Sequence, residues 1–407
     1  MANAKRKKVR EEDITGLKYF DRLAPLLARL HDDGCDRDKA GNRRLHFDQY
    51  CMLVLLYLFN PTVSSLRALQ QASELKKVQR KLGCGRASLG SLSEATHVFN
   101  PELLRGVIEE LGEQLSPIAR DKRLADMEHT ITLVDGSLLS ALPLLVEAMQ
   151  LKHEQGSGLV KWRLHAQFDI EKYVPTRIDV TRNGGGENDE RAVLERTLEA
   201  NRCYVKDRGY AKFTLFNAIV AKGSSYVCRV RDNSKYEILE DRPLSPQAQS
   251  AGVLQDVIVR FGKSSKADAR PDHPVLLITI RTTPHVKRGK YQGGSTGHGS
   301  DGVLRIVTSL LHVPAEIIAL IYQYRWTIEI FFRFFKHILG CRHLLSHDQN
   351  GIEIQVYCAI IACMLISLWT GRKPTLRTYE MICHYFTGLA DEEELMAHLE
   401  KLKPHDA

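Results

Sequence analysis

The chain has 407 residues, of which 43% are hydrophobic and 26% are charged, and its formal net charge is +8. This composition is typical of a globular protein and excludes a disordered, collagen-like or low-complexity chain. The length predicts two or three domains at about 150 residues each, and the moderately basic charge suits a polyanionic partner without requiring one.

The apolar and cysteine patterns predict a soluble, intracellular protein with no membrane partner. The longest apolar run, YCAIIACMLISLW at 357–369, is shorter than the roughly 20 residues that a membrane-spanning helix needs. The basic N-terminal segment MANAKRKKVREED is not followed by an apolar region, so it does not resemble a secretory signal. The 9 cysteines form no CxxC pair, which favours free thiols in a reducing compartment.

Residues 1–125 are predicted to be helical. The apolar segment at 50–59 is long enough for a buried helix, and Asn60 and Pro61 follow it. Three short helices are predicted over 62–99, with breaks near two glycines, an arrangement that resembles a helix-turn-helix.

The same helical region carries an excess of positive charge. Between Arg67 and Arg86, Glu74 is the one acid among the basic residues Arg67, Lys76, Lys77, Arg80, Lys81 and Arg86. Two interpretations remain open, a DNA-binding surface and a solvated pair of basic helices. The KRKKVR run at 5–10 is likewise either a DNA-contacting arm or a solvated tail.

From residue 129 onward the pattern changes to short strands alternating with helices. Strands are predicted at 131–135, 162–170, 174–181, 203–207 and 225–231, and helices at 187–200 and 212–222. The second and third strands are separated by a short polar turn and read as a hairpin. This order predicts a mixed α/β sheet.

The remaining segments complete a five-part division of the chain. Four strand-like stretches without intervening helices predict a β-rich insertion, with a glycine-rich loop at 291–302. Pro314 is predicted to open a long helix that ends near Leu339, and the residues beyond it are helical. The division assigns 1–125 to a helical domain, 126–232 to the first part of a core, 233–310 to the insertion, 311–370 to the completed core and 371–407 to a C-terminal tail.

Two aspartates stand at the predicted ends of strands. Asp135 follows ITLV, and Asp207 follows CYVK. Since each is predicted to precede a turn, its side chain could project beyond the sheet edge, although an isolated aspartate in this position is most often a turn former or helix cap. The pair becomes informative only with a third acid.

That third acid is Glu329, on the long helix predicted from Pro314. At 100° per residue, Tyr322, Arg325, Glu329 and Lys336 fall within an arc of about 60° on one face. The apolar residues of the adjoining sector, Ile328, Phe331, Phe332, Phe335 and Leu339, would pack on the sheet. An i, i+4 surface ion pair would account for Arg325 and Glu329 alone, but it leaves Tyr322, Lys336 and the two aspartates unexplained.

Three converging carboxylates suit metal-dependent phosphodiester chemistry. Two Mg²⁺ ions about 3.5–4 Å apart take hard oxygen ligands and clamp the attacking and leaving oxygens of a phosphodiester. Neighbouring cations would hold the phosphates, and arginine can do so through two parallel hydrogen bonds. Mg²⁺ is therefore the expected ion, and Mn²⁺ is expected to substitute for it.

These motifs resemble the insertion-sequence transposases of the YREK group, the fourth insertion-sequence family. The resemblance rests on Asp135 in its strand, on the turn that begins with Asp207 and on Tyr322-x2-Arg325-x3-Glu329-x6-Lys336, and it covers roughly residues 50–370. It implies a ribonuclease-H-like α/β core, interrupted between the second aspartate and the glutamate by a β-rich insertion and preceded by a variable helical domain that recognises the transposon end.

The resemblance also implies residue roles. Asp135, Asp207 and Glu329 would be the catalytic metal ligands, and Tyr322, Arg325 and Lys336 would contact phosphates of the DNA. Trp326 would either stack on a flipped base or pack as an ordinary aromatic residue.

The turn after Asp207 carries two further candidates. Arg208 and Tyr210 would either touch the DNA backbone or shape the turn, and Gly209 is assigned to the turn. Residues 202–235 carry 8 Lys or Arg against 2 Asp, which is consistent with an edge that faces DNA. His129, His165, His298 and His337 show no metal-ligand spacing and are interpreted as structural or loop residues.

The function that this resemblance implies is DNA transposition. A transposase would hydrolyse the DNA at terminal inverted repeats and join the freed 3′-hydroxyl to DNA, acting as a homodimer near the bacterial nucleoid in the cytoplasm. Residues 357–369 would either contribute to that dimer or form a core helix. The alternatives are an inactive, transposase-derived DNA-binding regulator and a structure-specific nuclease on the same fold.

Overall fold

A computed structural model describes residues 18–33, 38, 41, 43–118, 121–141, 160–262, 270–282, 302–338, 344–346 and 348–401. The basic run at 5–10, His298, Leu339 and most of the glycine-rich loop at 291–302 lie outside these residues.

The N-terminal third of the described chain is helical. Its helices are α1 (Lys18–Ala28), α2 (Leu30–Asp33), α3 (Phe47–Phe59), α4 (Leu66–Ser73), α5 (Lys76–Leu82), α6 (Leu89–Val98) and α7 (Leu103–Gln114), followed by a 3₁₀ turn at Lys122–Leu124. The central helix α3 is buried along almost its whole length, because its sequence is apolar on every face.

The three short helices predicted over 62–99 are α4, α5 and α6. Serine hydroxyls cap two of them, since Ser65 accepts the N–H of Ala68 and Ser88 accepts the N–H of Ser91. Gly83 ends α5 with a φ of 62°, a left-handed conformation that glycine adopts without steric cost.

Nine described strands form one mixed sheet. They are β1 (Thr130–Ala141), β2 (Val160–Asp169), β3 (Val174–Arg182), β4 (Arg202–Lys206), β5 (Ser225–Arg229), β6 (Tyr236–Asp241), β7 (Val253–Phe261), β8 (Val275–Arg281) and β9 (Val303–Thr308). Their order across the sheet is β3-β2-β1-β4-β5-β9-β8-β7-β6.

The first five strands have the arrangement of a ribonuclease-H-like core. An antiparallel meander of β1, β2 and β3 is joined to β4, which runs parallel to β1, and β5 runs parallel to β4. The predicted mixed α/β fold, including the hairpin of β2 and β3, is therefore confirmed.

The predicted β-rich segment extends this sheet. The strand β9 pairs antiparallel with β5, and β8, β7 and β6 follow as an antiparallel meander. Hydrogen bonding is thus continuous from the core into the extension, which fixes the position of the extension relative to β5.

Helices cover both faces of the sheet. They are α8 (Glu190–Arg196), α9 (Phe213–Ala221), α10 (Pro246–Ser250), α11 (Ala315–Tyr324), α12 (Trp326–Ile338), α13 (Gln349–Thr370), α14 (Leu376–Thr387) and α15 (Glu392–Lys401). The face under α9 forms one hydrophobic cluster, and the opposite face shares a larger cluster with α11, α12, α13 and the N-terminal helices.

The apolar run at 357–369 lies in α13, which is buried along nearly its whole length. By length and hydropathy alone this helix could cross a membrane, but 89% of its most apolar window is buried inside the protein. It contacts α3 and α7 as well as β3, so it joins the N-terminal helices to the sheet as a core helix.

Three predictions about the elements are wrong. The strand-like stretches of 233–310 are predicted to have no helix between them, but α10 lies between β6 and β7. The strand β1 does not end at Asp135 but continues to Ala141, because its second half still pairs with β2 after β4 has ended. The single helix predicted from Pro314 to Leu339 is two helices, α11 and α12, separated at Arg325.

Candidate active site

The pairing of β1 with β4 brings the two aspartates together. The last matched pair of these parallel strands is Val134 and Lys206, and Asp135 and Asp207 are the next residue on each strand. Neighbouring strands lie about 4.8 Å apart. Since Val134 packs into the cluster under α9, the alternation of a strand turns Asp135 to the opposite face, where α12 lies.

Glu329 reaches the same place from the first turn of α12. Its Oε1 accepts a hydrogen bond of 2.7 Å from Nη2 of Arg325, and Nη1 of Arg325 lies 3.9 Å from Oδ2 of Asp135. Asp207 is close enough to raise the pKa of the same guanidinium. One arginine therefore lies among all three acids.

The protonation of Asp135 reflects this crowding. Burial raises the pKa of Asp135 to about 6, and the nearby carboxylates of Glu190 and Glu329 add to the increase. The Gly136 amide, which donates a 2.8 Å hydrogen bond to Oδ1, and the Arg325 guanidinium oppose it. This is an electrostatic environment that an additional cation would stabilise.

Tyr322 and Arg325 form the second half of the site. Burial alone would lower the pKa of Arg325, but Tyr322, Glu329 and Asp207 hold it above its usual value. The Arg325 guanidinium lies 6.0 Å from the centre of the Tyr322 ring, and burial raises the pKa of Tyr322 well above its usual value. The arginine is a fixed cation, and the phenol is a neutral hydrogen-bonding group.

The break between α11 and α12 determines how Arg325 is presented. The N–H of Arg325 donates to Tyr322 and its carbonyl accepts from Ile328, both three residues away, so the chain tightens into a 3₁₀-like turn. The helical-wheel angles assumed a continuous helix and do not hold across this turn. The contacts of Arg325 with Tyr322 and Glu329 nevertheless form on both sides of it.

Trp326 and Lys336 lie at the margin of this constellation. The indole of Trp326 is 47% exposed, so it is not a packed core aromatic. Lys336 is half-buried near the end of α12, two turns beyond Glu329.

An open groove adjoins the site between α11 and the sheet extension. Its volume is about 640 Å³, and its polar and aromatic lining includes Arg123, Arg281, Tyr322, Gln323, Arg325 and Trp326. Arg281 comes from the end of β8, so the extension supplies one wall. Three arginines and Glu316 are among the residues that line the groove, and of these arginines Arg325 also contacts Asp135 and Glu329.

The turn after Asp207 is a 3₁₀ turn at Arg208–Tyr210. Tyr210 is only 2% exposed and packs into the cluster under α9, which does not leave its ring available to DNA. Arg208 is half-buried and Gly209 is exposed. The geometry supports a turn-shaping role for Tyr210 and leaves Arg208 at the edge of the site.

A fourth acid near Asp135 was missed by the sequence analysis. Glu190 begins α8, and its carboxylate lies against Gly136, where an added Cβ would overlap Oε1. It forms an ion pair with Arg163. A glycine within a strand can indicate the close approach of another group, and Gly136 was the available signal.

A buried lysine was also missed. Lys206 precedes Asp207, but its side chain points to the opposite face and is 0% exposed. Its ammonium lies 4.8 Å from the ring centre of Phe216 and 5.4 Å from that of Tyr226, and within the described residues no hydrogen-bond partner reaches Nζ. The sequence count of cations facing DNA over 202–235 therefore includes one that cannot do so.

The donor set fits divalent metal ions. Three carboxylates lie around Arg325, and hard oxygen donors of this type are the ligands that Mg²⁺ takes in proteins. The raised pKa of Asp135 and the single guanidinium among the acids indicate negative charge that is only partly compensated. The residues present are therefore suitable to hold such ions.

Comparison with known proteins identifies the family. The family model of the transposase DDE domain matches residues 126–365, which is more than half of the chain. The matched segment contains β1, β4 and α12, and so the three acids.

Several curated relatives are transposases. The chain is 25% identical over 207 residues to a putative transposase, y4zB, of Sinorhizobium fredii, a match that covers 51% of this chain and 52% of the relative. It is 29% identical over 216 residues to a probable transposase for insertion sequence element IS5377 of Geobacillus stearothermophilus, covering 53% and 50%. The chain thus spans about half the length of these two curated relatives.

A longer match extends over more of the chain. A putative transposase for insertion sequence element IS4SA of Synechocystis is 23% identical over 289 residues, covering 69% of this chain and 71% of the relative. Among solved structures, the piggyBac transposase synaptic complex with hairpin DNA aligns with a TM-score of 0.40 and 10% identity, covering 99% of this chain and 84% of that chain. By the family match over residues 126–365, the chain belongs to the transposase DDE domain family.

Proposed function

We propose that this protein is a DNA transposase that cleaves phosphodiester bonds at the ends of a mobile element and joins those ends to DNA. The observation that supports this most directly is the convergence of Asp135, Asp207 and Glu329 around Arg325. Within the family we place the chain in the YREK group, since its four defining residues lie on α11, α12 and the turn between them.

The three carboxylates are proposed as the metal ligands. Two Mg²⁺ ions, for which Mn²⁺ can substitute, would activate the attacking oxygen and stabilise the leaving oxygen when bound to this site. Asp135 must be deprotonated to serve as a ligand, so the burial that raises its pKa to about 6 should make metal binding weaker at low pH.

The basic and aromatic residues are proposed to position the DNA strand. The contacts of Arg325 with the acids keep its guanidinium in the site. A guanidinium can hold a phosphate through two parallel hydrogen bonds. Tyr322 is a neutral donor at neutral pH, and Lys336 would contact a phosphate farther along α12. Arg208 would contact the backbone from the turn after Asp207.

The groove beside α11 is proposed as the path of that strand away from the acids. Arg123 and Arg281 line it together with Arg325, and these three cations outnumber the lining acid Glu316, which favours a polyanion. Trp326 is exposed at its edge, where its ring could stack on an unpaired base at about 1–3 kcal/mol.

The partners proposed are the terminal inverted repeats of the element and a target duplex, bound by a homodimer that holds two ends together. Each end requires one active site, so joining two ends requires two copies. The helices of residues 1–125 are proposed to recognise the end, and a nucleoid-associated location in the bacterial cytoplasm follows from this substrate.

The test compares the wild type with Glu329→Gln on a labelled duplex that carries the element's own end, in the presence of Mg²⁺. Glutamine keeps the size of the side chain and its hydrogen bond to Arg325 but removes the charge that a metal ligand needs. We expect a loss of at least about 100-fold in nicking and strand joining, which corresponds to about 3 kcal/mol, while end binding remains. Glu353→Gln on α13 is a matched control.

The outcomes separate the candidate functions. Nicking without strand joining by the wild type would indicate a structure-specific nuclease. Tight end binding without cleavage by either protein would indicate a DNA-binding regulator. Equal cleavage by wild type and Glu329→Gln would refute the assignment of Glu329.

A further inference from the structure

A second cluster of metal-ligating side chains lies in the N-terminal helical region. One ring nitrogen of His31, one of His46 and a carboxylate oxygen of Asp32 lie within 4.8 Å of one another. His31 and Asp32 belong to α2, and His46 is the N-cap of α3. The three side chains thus come from the two sides of one helix junction.

Each imidazole has a polar contact at its Nδ1. Nδ1 of His31 lies 3.0 Å from each carboxylate oxygen of Asp48, and Nδ1 of His46 lies 3.0 Å from the backbone carbonyl of His31. The rings stack with centroids 3.7 Å apart. An Nδ1–H donated to a carboxylate or carbonyl is the usual outer contact of a metal-ligating histidine, and it fixes the tautomer with Nε2 as the ligand.

The backbone on both sides of the cluster is anchored. Leu30, which precedes His31, is 2% exposed, and Leu45 and Phe47, which flank His46, are 3% and 0% exposed. Asp32 by contrast is exposed. Two ligands are therefore held by a packed core, and the third can move to complete a site at the surface.

We propose that His31, Asp32 and His46 bind a divalent transition-metal ion of the Zn²⁺ class, with Asp48 positioning His31. Imidazole nitrogen with carboxylate oxygen is a donor set that Zn²⁺ accepts and that Mg²⁺ does not favour. An imidazole binds a metal through the lone pair in its ring plane, so one of the two stacked rings must turn out of the stack for both Nε2 atoms to reach the same ion. The bound ion would tie α2 to the start of α3.

The experiment is a calorimetric titration of the full chain with ZnCl₂, in a buffer that contains excess Mg²⁺, after treatment with a chelator. We expect one Zn²⁺ per chain in the wild type and a rise in Tm of at least about 2 °C at saturation. Asp32→Asn should weaken binding at least about tenfold. Since Asp32 is exposed, this variant tests the site without disturbing the core. His46→Asn should abolish binding, and Asp48→Asn should weaken it about 10- to 100-fold.

Three controls separate this site from other zinc ligands. Asp126→Asn removes an exposed aspartate outside the cluster, and His384→Ala removes an exposed histidine of α14; both should bind Zn²⁺ as the wild type does. Glu329→Gln should also retain the site, because the catalytic acids are separate from it. Equal Zn²⁺ affinity for the wild type, Asp32→Asn and His46→Asn, or loss of the Zn²⁺ site in Glu329→Gln, would overturn the proposal.

Discussion

Lys206 and Asp207 are neighbours in the sequence, but their side chains lie on opposite faces of the sheet in different environments. Asp207 faces the candidate active site, whereas Lys206 is buried against the stacked rings of Phe216 and Tyr226 on the other face of the sheet. Cation–π contact compensates part of the cost of burying its charge. Burial lowers the pKa of Lys206 to about 8.

We expect Lys206→Met to make the protein more stable. Replacing a buried charge with an apolar side chain of similar size removes the desolvation cost, which is commonly worth about 1–4 kcal/mol. Urea unfolding at pH 7 measures the change in the free energy of unfolding, and Lys222→Met, at an exposed position, should change it by no more than about 0.5 kcal/mol. A loss of stability would show that the ammonium contributes more through the two rings than its burial costs.

His165 predicts a pH dependence of stability. Burial lowers the pKa of His165 to about 4, and Asp179 partly opposes this effect. His165 takes up a proton near pH 6.5 in the unfolded chain but only near pH 4 in the folded chain. The stability that neutral His165 contributes to the folded protein is therefore complete above pH 6.5 and is lost as the pH falls towards 4. The limiting slope is about 1.4 kcal/mol per pH unit.

The measurement is the free energy of unfolding at pH 7 and at pH 5. We expect the wild type to lose about 1–2 kcal/mol more than His165→Asn over this interval, although the variant should be less stable at pH 7 because Thr181 loses its 2.9 Å contact with Nε2. Parallel pH profiles for the two proteins would contradict the assignment.

At the scale of elements, the start of α13 depends on one small residue. A Cβ added at Gly351 would lie 2.7 Å from Cγ2 of Thr96 on α6 and would overlap Ser346. This contact closes the junction between the C-terminal core helix and the N-terminal helices. Glycine is therefore required here for close packing.

We expect Gly351→Ala to destabilise the protein by about 1–3 kcal/mol, because overpacking outweighs the helix propensity gained. Gly106→Ala on α7 is the matched control, since its Cβ would meet only the end of the Arg29 side chain at 3.3 Å. That variant should be neutral or more stable by up to about 1 kcal/mol. Equal effects of the two substitutions on Tm would show that α6 moves to accommodate the added methyl group.

At the scale of the whole molecule, the N-terminal helices and the sheet share one hydrophobic cluster through α13. A DNA end bound by α4, α5 and α6 would therefore be held by the same packed body that carries the acids. The exposed cations available for such binding include Lys76, Lys77 and Arg80 on α5.

Replacing Lys76, Lys77 and Arg80 together with glutamine should weaken binding of the element's end. If all three contact phosphates, the slope of log K against log salt should fall by about 2.7, since each contact contributes about 0.9. Fluorescence anisotropy over a series of salt concentrations measures this slope. A control with Arg260, Arg377 and Lys401 changed to glutamine removes the same charge elsewhere, and equal slopes for the two triple variants would exclude α5 from the contact.

The sequence pattern predicted most strands and helices in their chain order, and it selected the three acids that are proposed as metal ligands. The alternation of a strand and the periodicity of a helix are local properties of the chain. The spacing from Tyr322 to Lys336 is a number of residues along the chain. Both can therefore be recognised without coordinates. The register that brings Asp135 beside Asp207 was predicted only in outline. It depends on the pairing of β1 with β4, two segments far apart in the sequence, which no local pattern indicates.

Which charged side chains meet and which are buried is visible only in the packing of the elements against one another. Some of these contacts join residues that are distant in sequence, as Glu190 with Asp135 and His31 with His46. Others place neighbouring residues on opposite faces of the sheet, so that Lys206 and Tyr210 are buried while Asp207 faces the site. The break at Arg325 has the same origin, since contacts on both sides of the turn favour it over a continuous helix. Such outcomes depend on packing between elements, which the periodicity of a single segment does not contain.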